Sequence, residues 1–211
     1  MVKMQVDDQP ISSTFYHEGK WLSDFITPSA LEVETLHDGL TEGIIDLDKR
    51  IANCWYWVAK QVKYKPFISG SMTIECKTSY QNDLWMEPSL TKKVKVGNCA
   101  NKSFLLTSLI RRDLPSNQVY CVLGNLYNGK AGGHAWVQVK LNGEDYIVES
   151  TRSDIPVFVR ADVAGRYEAI HFFNDETIFA VPGKTALQPF SRCYSTWLKD
   201  YLDWAYIEGE R

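Results

Sequence analysis

The chain contains no C-x-x-C pair, and its five cysteines, Cys54, Cys76, Cys99, Cys121 and Cys193, are odd in number and widely spaced. That arrangement argues against a disulfide framework and against a zinc site, and fits reduced thiols in a cytosolic setting. Nowhere does an apolar run approach the roughly 18 residues that a membrane span needs. The opening residues, Met1 to Asp8, carry a lysine but no apolar stretch behind it, so neither a transmembrane segment nor a cleaved signal is expected. Basic excess is lacking too: 23 lysines and arginines against 26 acids give a net charge of −3, too little positive charge to neutralise a phosphate backbone. Internal repeats and low-complexity tracts are missing, which removes solenoids and disordered tracts from consideration. The expectation is a soluble, cytoplasmic protein with no metal, no cofactor, no nucleic-acid partner and no membrane partner, its oligomeric state left open.

What is present suffices for a proper core. Of the 211 residues 45% are hydrophobic, and seven tryptophans with 13% aromatic residues overall point to aromatic cores or clefts. Residues 1–45 read as a polar, irregular N-terminal extension packed on the surface, punctuated by Pro10 and Pro28. The core is expected over 46–190. It opens with Asp46 or Asp48 as a start signal, followed by Ile51, Cys54, Trp55, Val58, Ala59 and Val62 at the three- and four-residue steps of a helix face. Residues 66–91 read as loop-like around Ser69-Gly70-Ser71. After Asn98 a stripe of Leu105, Leu106, Leu109 and Ile110 predicts a second helix, closed near Arg112 by cations in its last turn and by Pro115. Residues 118–124 read as a strand and 128–133 as a glycine-rich loop. Strands at 134–140 and 144–150 turn at Asn142-Gly143, and further strands are expected at 166–173 and 177–181. The chain closes with an aromatic amphipathic helix over 191–211, with Trp197, Tyr201 and Ala205 in step.

Three chemistry-bearing residues fall on three of these elements. With Asn98 as the cap, Cys99 takes the first helical position, where unpaired amides and the positive end of the macrodipole favour an anion. The same amides can hold an oxyanion. A two-residue turn at Asn142-Gly143 pairs Leu141 with Glu144, Val139 with Tyr146, Val137 with Val148, Trp136 with Glu149 and His134 with Thr151. Alternation then puts Ala135, Val137, Val139, Tyr146 and Val148 on the core side, and His134, Trp136, Ile147 and Glu149 on the other. Glu149 becomes a diagonal neighbour of His134, roughly 5–8 Å away at the base of the side chains, so an acid–base pair shares one surface. An imidazole so placed can take the thiol proton while the carboxylate orients it. His171, mid-strand without a positioned acid, and Cys121, in a β-rich run, read as structural.

These residues also carry a family resemblance. Gly97-Asn98-Cys99, then Gly132-Gly133-His134-Ala135-Trp136, then Tyr146-Ile147-Val148-Glu149-Ser150-Thr151, with Trp85-Met86-Glu87-Pro88 upstream, resemble the transglutaminase-like branch of the papain-type cysteine enzymes. The matching stretch runs over about 85–154. The resemblance implies an α+β fold, a papain-like or transglutaminase-like core whose catalytic helix packs on an antiparallel β-sheet. It implies acyl chemistry on a peptide, protein or small amide substrate, with Cys99 as nucleophile, His134 as base and Glu149 as orienting acid. Family members mostly carry aspartate at that last place, and Asp154 in the following loop is the fallback. Trp85, Trp136 and Gly133 are the implied substrate-binding residues. Water as acyl acceptor gives a peptidase or amidase, the favoured outcome, and an amine gives a transglutaminase. Neutral Asn98 and Ala100 stand where many microbial relatives carry acids, which keeps a non-catalytic peptide-binding module as the alternative.

Overall fold

The computed structural model describes residues 16–17, 20–65, 70–74, 77–81, 85–128 and 130–184. The helix expected over 191–211, Cys76 and Cys193 lie outside them. Among the described residues the strands are β1 (Tyr16–His17), β2 (Lys20–Trp21), β3 (Lys63–Tyr64), β4 (Gly70–Ile74), β5 (Lys77–Gln81), β6 (Val96–Gly97), β7 (Val119–Asn128), β8 (Lys130–Leu141), β9 (Glu144–Val148), β10 (Val159–Arg160), β11 (Tyr167–Phe173) and β12 (Ile178–Ala180). The helices are α1 (Leu31–Thr41), α2 (Leu47–Gln61), α3 (Pro88–Val94) and α4 (Cys99–Ile110), with a short 3-10 turn at Leu22–Phe25. The main sheet has six strands in the order β10-β9-β8-β7-β11-β12, with every neighbouring pair antiparallel. This is the α+β arrangement the sequence implied.

The β8–β9 hairpin turns at Asn142 and Gly143, whose φ angles of 54° and 84° are the two left-handed positions a two-residue hairpin demands. Its register is the expected one, Leu141 opposite Glu144, Val139 opposite Tyr146 and Val137 opposite Val148. The faces sort accordingly. Ala135, Val137, Val139 and Val148 enter the core beneath the helices, while Trp136 and Ile147 join Val122 and Ala164 in a smaller cluster on the opposite face. Regular pairing ends at Val148, so the continuation to Trp136–Glu149 and His134–Thr151 is not a ladder. Beyond Val148 the chain leaves the sheet.

α4 is the central element. Every residue from Ala100 to Ile110 is buried, with α1, α2, α3 and the sheet packed around it. Enclosure on all sides leaves its polar groups dependent on protein partners. Ser108 donates to the Phe104 carbonyl at 2.8 Å and accepts from the Thr27 amide at 2.9 Å, and Ser103 bonds Ser150 at 2.9 Å. The Lys102 ammonium reaches the end of α2, donating to the carbonyls of Ala59 at 3.2 Å and Val62 at 2.6 Å. Burial pulls this amine down to about 8, opposed by the charge of Glu149. α2 starts as expected, with the Asp46 carboxylate accepting from the Lys49 amide, and buries Ile51, Cys54, Trp55 and Val58.

Three expectations need correcting. The first 45 residues are not irregular wrapping where described: Leu22, Phe25, Ile26 and Val33 are core residues and α1 packs on α2 and α4. The sequence hid this helix because its surface is polar, burying only Val33, His37 and Thr41, and because Ala30 at its start supplies no side-chain cap. The stretch 66–91, read as loop, holds the β4–β5 hairpin and α3. The glycine-rich stretch 128–133 is not a loop throughout either. β7 and β8 stay paired out to Asn128 opposite Lys130, so Gly132 and Gly133 are strand residues. Glycine composition signalled a turn where the ladder hydrogen bonds of two long strands prevail.

Candidate active site

Cys99 is the first residue of α4 and is half-buried. Asn98 caps the helix, its Oδ1 accepting from the Asn101 amide at 3.0 Å. Asn101 in turn accepts from the Met86 amide at 2.7 Å, tying the helix start to the segment before α3. The turn that delivers Cys99 is set by Lys95, left-handed at φ 53°, and by Gly97, where a Cβ would lie 3.1 Å from the Cβ of Asn101. Lys92 and Lys93 lie in the last turn of α3, and Lys93 and Lys95 are exposed.

His134 comes from β8, faces Gly124 on β7, and is buried at 7% exposure. Its Nε2 lies 2.8 Å from Glu149 Oε2, and interaction with the Cys99 side chain is among the causes that raise the ring's pKa. With Nε2 taken by the carboxylate, Nδ1 is the nitrogen left for the thiol. The elements therefore bring Cys99, His134 and Glu149 together, in that order. Asp154, the fallback acid, is not there: it is exposed and paired with Arg152 at 2.8 Å and 3.0 Å.

Glu149 is 1% exposed, yet its carboxylate is fully partnered. Oε2 accepts from His134 and from the Tyr167 hydroxyl at 2.9 Å; Oε1 accepts from the Thr151 amide at 2.9 Å and the Thr151 hydroxyl at 2.7 Å. Its own carbonyl accepts from the Trp55 indole N–H at 2.7 Å, which fixes the backbone to α2. Burial alone would raise this acid, but the hydrogen bonds and charge of His134, with those of Thr151, hold it at about 2. Burial likewise opposes a charged imidazole, but the hydrogen bonds with Cys99 and Glu149 outweigh it and raise His134 to about 10. The arrangement therefore favours an imidazolium held against the Glu149 carboxylate.

An aromatic wall backs the pair. Trp136 stacks near His134 with centroids 6.2 Å apart and planes at 22°, and Tyr167 meets Trp136 edge-on at 5.1 Å. Gly124 makes room for that indole: a Cβ there would fall 2.5 Å from Trp136 Cη2. Of the residues expected to bind substrate, Trp136 is buried behind the histidine and Gly133 is exposed beside it. Trp85 is buried among Phe25 and Phe104, with ring centroids 5.7 Å and 5.3 Å away, and among the described residues its indole N–H has no acceptor. Thr151, Trp55, Gly124 and Tyr167 were not singled out from the sequence as site residues. Thr151 was within reach, standing two residues after the acid, but nothing local marks a tyrosine 18 residues downstream as its partner. Cys54 and Cys121 are buried thiols pushed up by burial, Cys54 to about 12, and His171 is buried in β11. Among the described residues no cluster of His, Cys, Asp and Glu is arranged to hold a metal ion, and no helix is long and apolar enough to cross a membrane.

Comparison with known proteins bears on the fold and the family. Legionella pneumophila LapG superposes with a TM-score of 0.53 at 16% identity, covering 72% of this chain and 77% of that one. A candidate cysteine protease from Cytophaga hutchinsonii aligns at 18% identity over 75% of this chain and 53% of its own, with a TM-score of 0.42. At such identities the likeness to LapG concerns the fold alone. No curated protein matches the sequence. The profile of one family, described as the transglutaminase-like superfamily, matches residues 34–149, more than half of the chain and a span that contains Cys99, His134 and Glu149. The chain belongs to the transglutaminase-like superfamily.

Proposed function

We propose that the protein is a cysteine-dependent acyl-transfer enzyme that hydrolyses a peptide or amide bond, with Cys99, His134 and Glu149 as its catalytic triad. The observation that carries this reading is the buried His134–Glu149 pair, 2.8 Å apart, with Cys99 at the first position of α4 near enough to the ring to raise its pKa. In the reaction, the Cys99 thiol gives its proton to His134 as Sγ attacks the amide carbonyl, and the negative charge moves to the carbonyl oxygen. The first amides of α4, which have no intrahelical acceptor, donate to that oxyanion. His134 gives its proton to the departing amine, and the C–N bond breaks to leave a thioester. Water then attacks the thioester with His134 taking its proton, and the carboxylic acid leaves as the thiol is restored. Glu149 holds the ring and its positive charge throughout.

The test needs no known substrate. Iodoacetamide is offered across pH 4 to 9 and the modified cysteine is mapped. Selective labelling of Cys99 at the acid end, slowed in His134→Ala and Glu149→Gln, is the expected result. Labelling of Cys99 that emerges only near pH 8.5 and is unchanged in His134→Ala and Glu149→Gln would turn the reading to a peptide-binding module that keeps the fold. Once an acyl-enzyme is trapped from a peptide library, competition between water and a primary amine assigns hydrolase or transferase.

A further inference from the structure

Glu149 has three side-chain torsions and must present one oxygen to a ring on a neighbouring strand, although regular pairing has already ended at Val148. Something beyond the ladder has to choose its rotamer. Thr151 holds Oε1 from the same loop, and the donor on Oε2 besides His134 is the Tyr167 hydroxyl, arriving from β11 across β7 at 2.9 Å. Tyr167 is itself fixed. It is half-buried, its ring lies edge-on to Trp136 at 5.1 Å, and it stands 6.2 Å from the His134 ring.

We propose that Tyr167 is a positioning residue of this site, its hydroxyl locking the Glu149 side chain in the rotamer that presents Oε2 to His134. The proposal rests on the triad reading above. A phenylalanine would pack against Trp136 equally well, so the hydroxyl is the informative group. It donates to a carboxylate that already has three other donors, and it is therefore not needed merely to satisfy a buried charge. What it adds is direction. Two donors converging on Oε2 from different strands leave the carboxylate one orientation, whereas Thr151 alone allows rotation about Oε1. Burial and the adjacent Glu149 charge keep the phenol protonated far above its ordinary range, so it donates at every pH at which the site can work.

The experiment is a double-mutant cycle read by iodoacetamide labelling of Cys99 at pH 5.5, using the full chain. Tyr167→Phe is expected to slow labelling roughly tenfold, the low end for one hydrogen bond to a charged group. Glu149→Gln is expected to slow it further, and Tyr167→Phe on the Glu149→Gln background to change nothing more, because the tyrosine acts only through that carboxylate. Equal slowing by Tyr167→Phe on both backgrounds would mean a general structural role and overturn the proposal. Wild-type labelling of Tyr167→Phe would overturn it as well. Wild-type labelling of Glu149→Gln and His134→Ala would instead sink the triad reading, so the two failures are told apart. Should Tyr167→Phe not fold, Tyr167→Met, which keeps an apolar side chain against Trp136 and lacks the hydroxyl, enters the same cycle on the wild-type and Glu149→Gln backgrounds; an unchanged rate, or equal slowing on both backgrounds, would overturn the proposal.

Discussion

Gly124→Ala tests whether the back wall of the site is as tight as its geometry states. Gly124 lies on β7 opposite His134 on β8 and Ala169 on β11. An added Cβ would sit 2.2 Å from the Glu168 carbonyl oxygen and 2.5 Å from Trp136 Cη2. Carbon–oxygen contacts of this kind settle at about 3.3–3.6 Å, so the methyl is more than an ångström too close to a strand backbone. The indole cannot swing aside freely, being 1% exposed and stacked on His134. Overpacking costs about 1–3 kcal/mol where side chains can adjust; with backbone as the obstacle the upper end, about 3 kcal/mol, is expected. For a chain of this length that lowers Tm by roughly 6–12 °C. Urea unfolding followed by tryptophan fluorescence measures it. Gly132→Ala is the control, because nothing lies within 4 Å of a Cβ at that position, and a change within about 0.5 kcal/mol is expected. Cys99 labelling should slow in Gly124→Ala and not in Gly132→Ala. Equal urea midpoints for the two variants would refute the reasoning.

Three further outcomes follow from the same contacts. Asn98→Ala removes the cap on the Asn101 amide and should cost about 1 kcal/mol in urea unfolding while slowing Cys99 labelling; a loss of stability with unchanged labelling would separate the cap from the thiol. Trp55→Phe leaves the buried Glu149 carbonyl without its donor and should cost about 1–3 kcal/mol, read by thermal melting. His134 is raised from 6.5 to about 10, so its contribution to stability is full below pH 6.5 and is lost as pH rises through about 10. Glu149 is lowered from 4.5 to about 2, so its contribution is present above pH 4.5 and lost as pH falls toward about 2. The difference between wild type and His134→Ala in urea midpoint should therefore shrink between pH 6.5 and 10; a constant difference would refute the assignment.

The parts of the site legible in sequence were those encoded by local periods. Asn142-Gly143 specifies a turn, the turn a register, and alternation of two puts His134 and Glu149 on one face. Asn98 before an apolar stripe located the helix and with it Cys99. What stayed hidden depends on contacts between distant elements. Nothing local in the sequence marks Lys102 as buried, and its burial depends on two carbonyls offered at the end of α2. Tyr167 reads as one aromatic in a strand, and only the order β9-β8-β7-β11 turns it toward Glu149. Leu31–Thr41 was missed because three buried positions on a polar helix give little periodic signal.

The enclosure of α4 has a consequence for how the proposed triad would be lost. A nucleophile on a surface loop can drift out of register while the rest of the molecule stays native. Cys99 is instead the tip of a rod gripped along its whole length by three helices and a sheet, and the rod cannot slide without dragging a buried ammonium away from the end of α2. Amide exchange along α4 should thus proceed by complete opening of the molecule, and heat should abolish thiol selectivity and tertiary structure in one step.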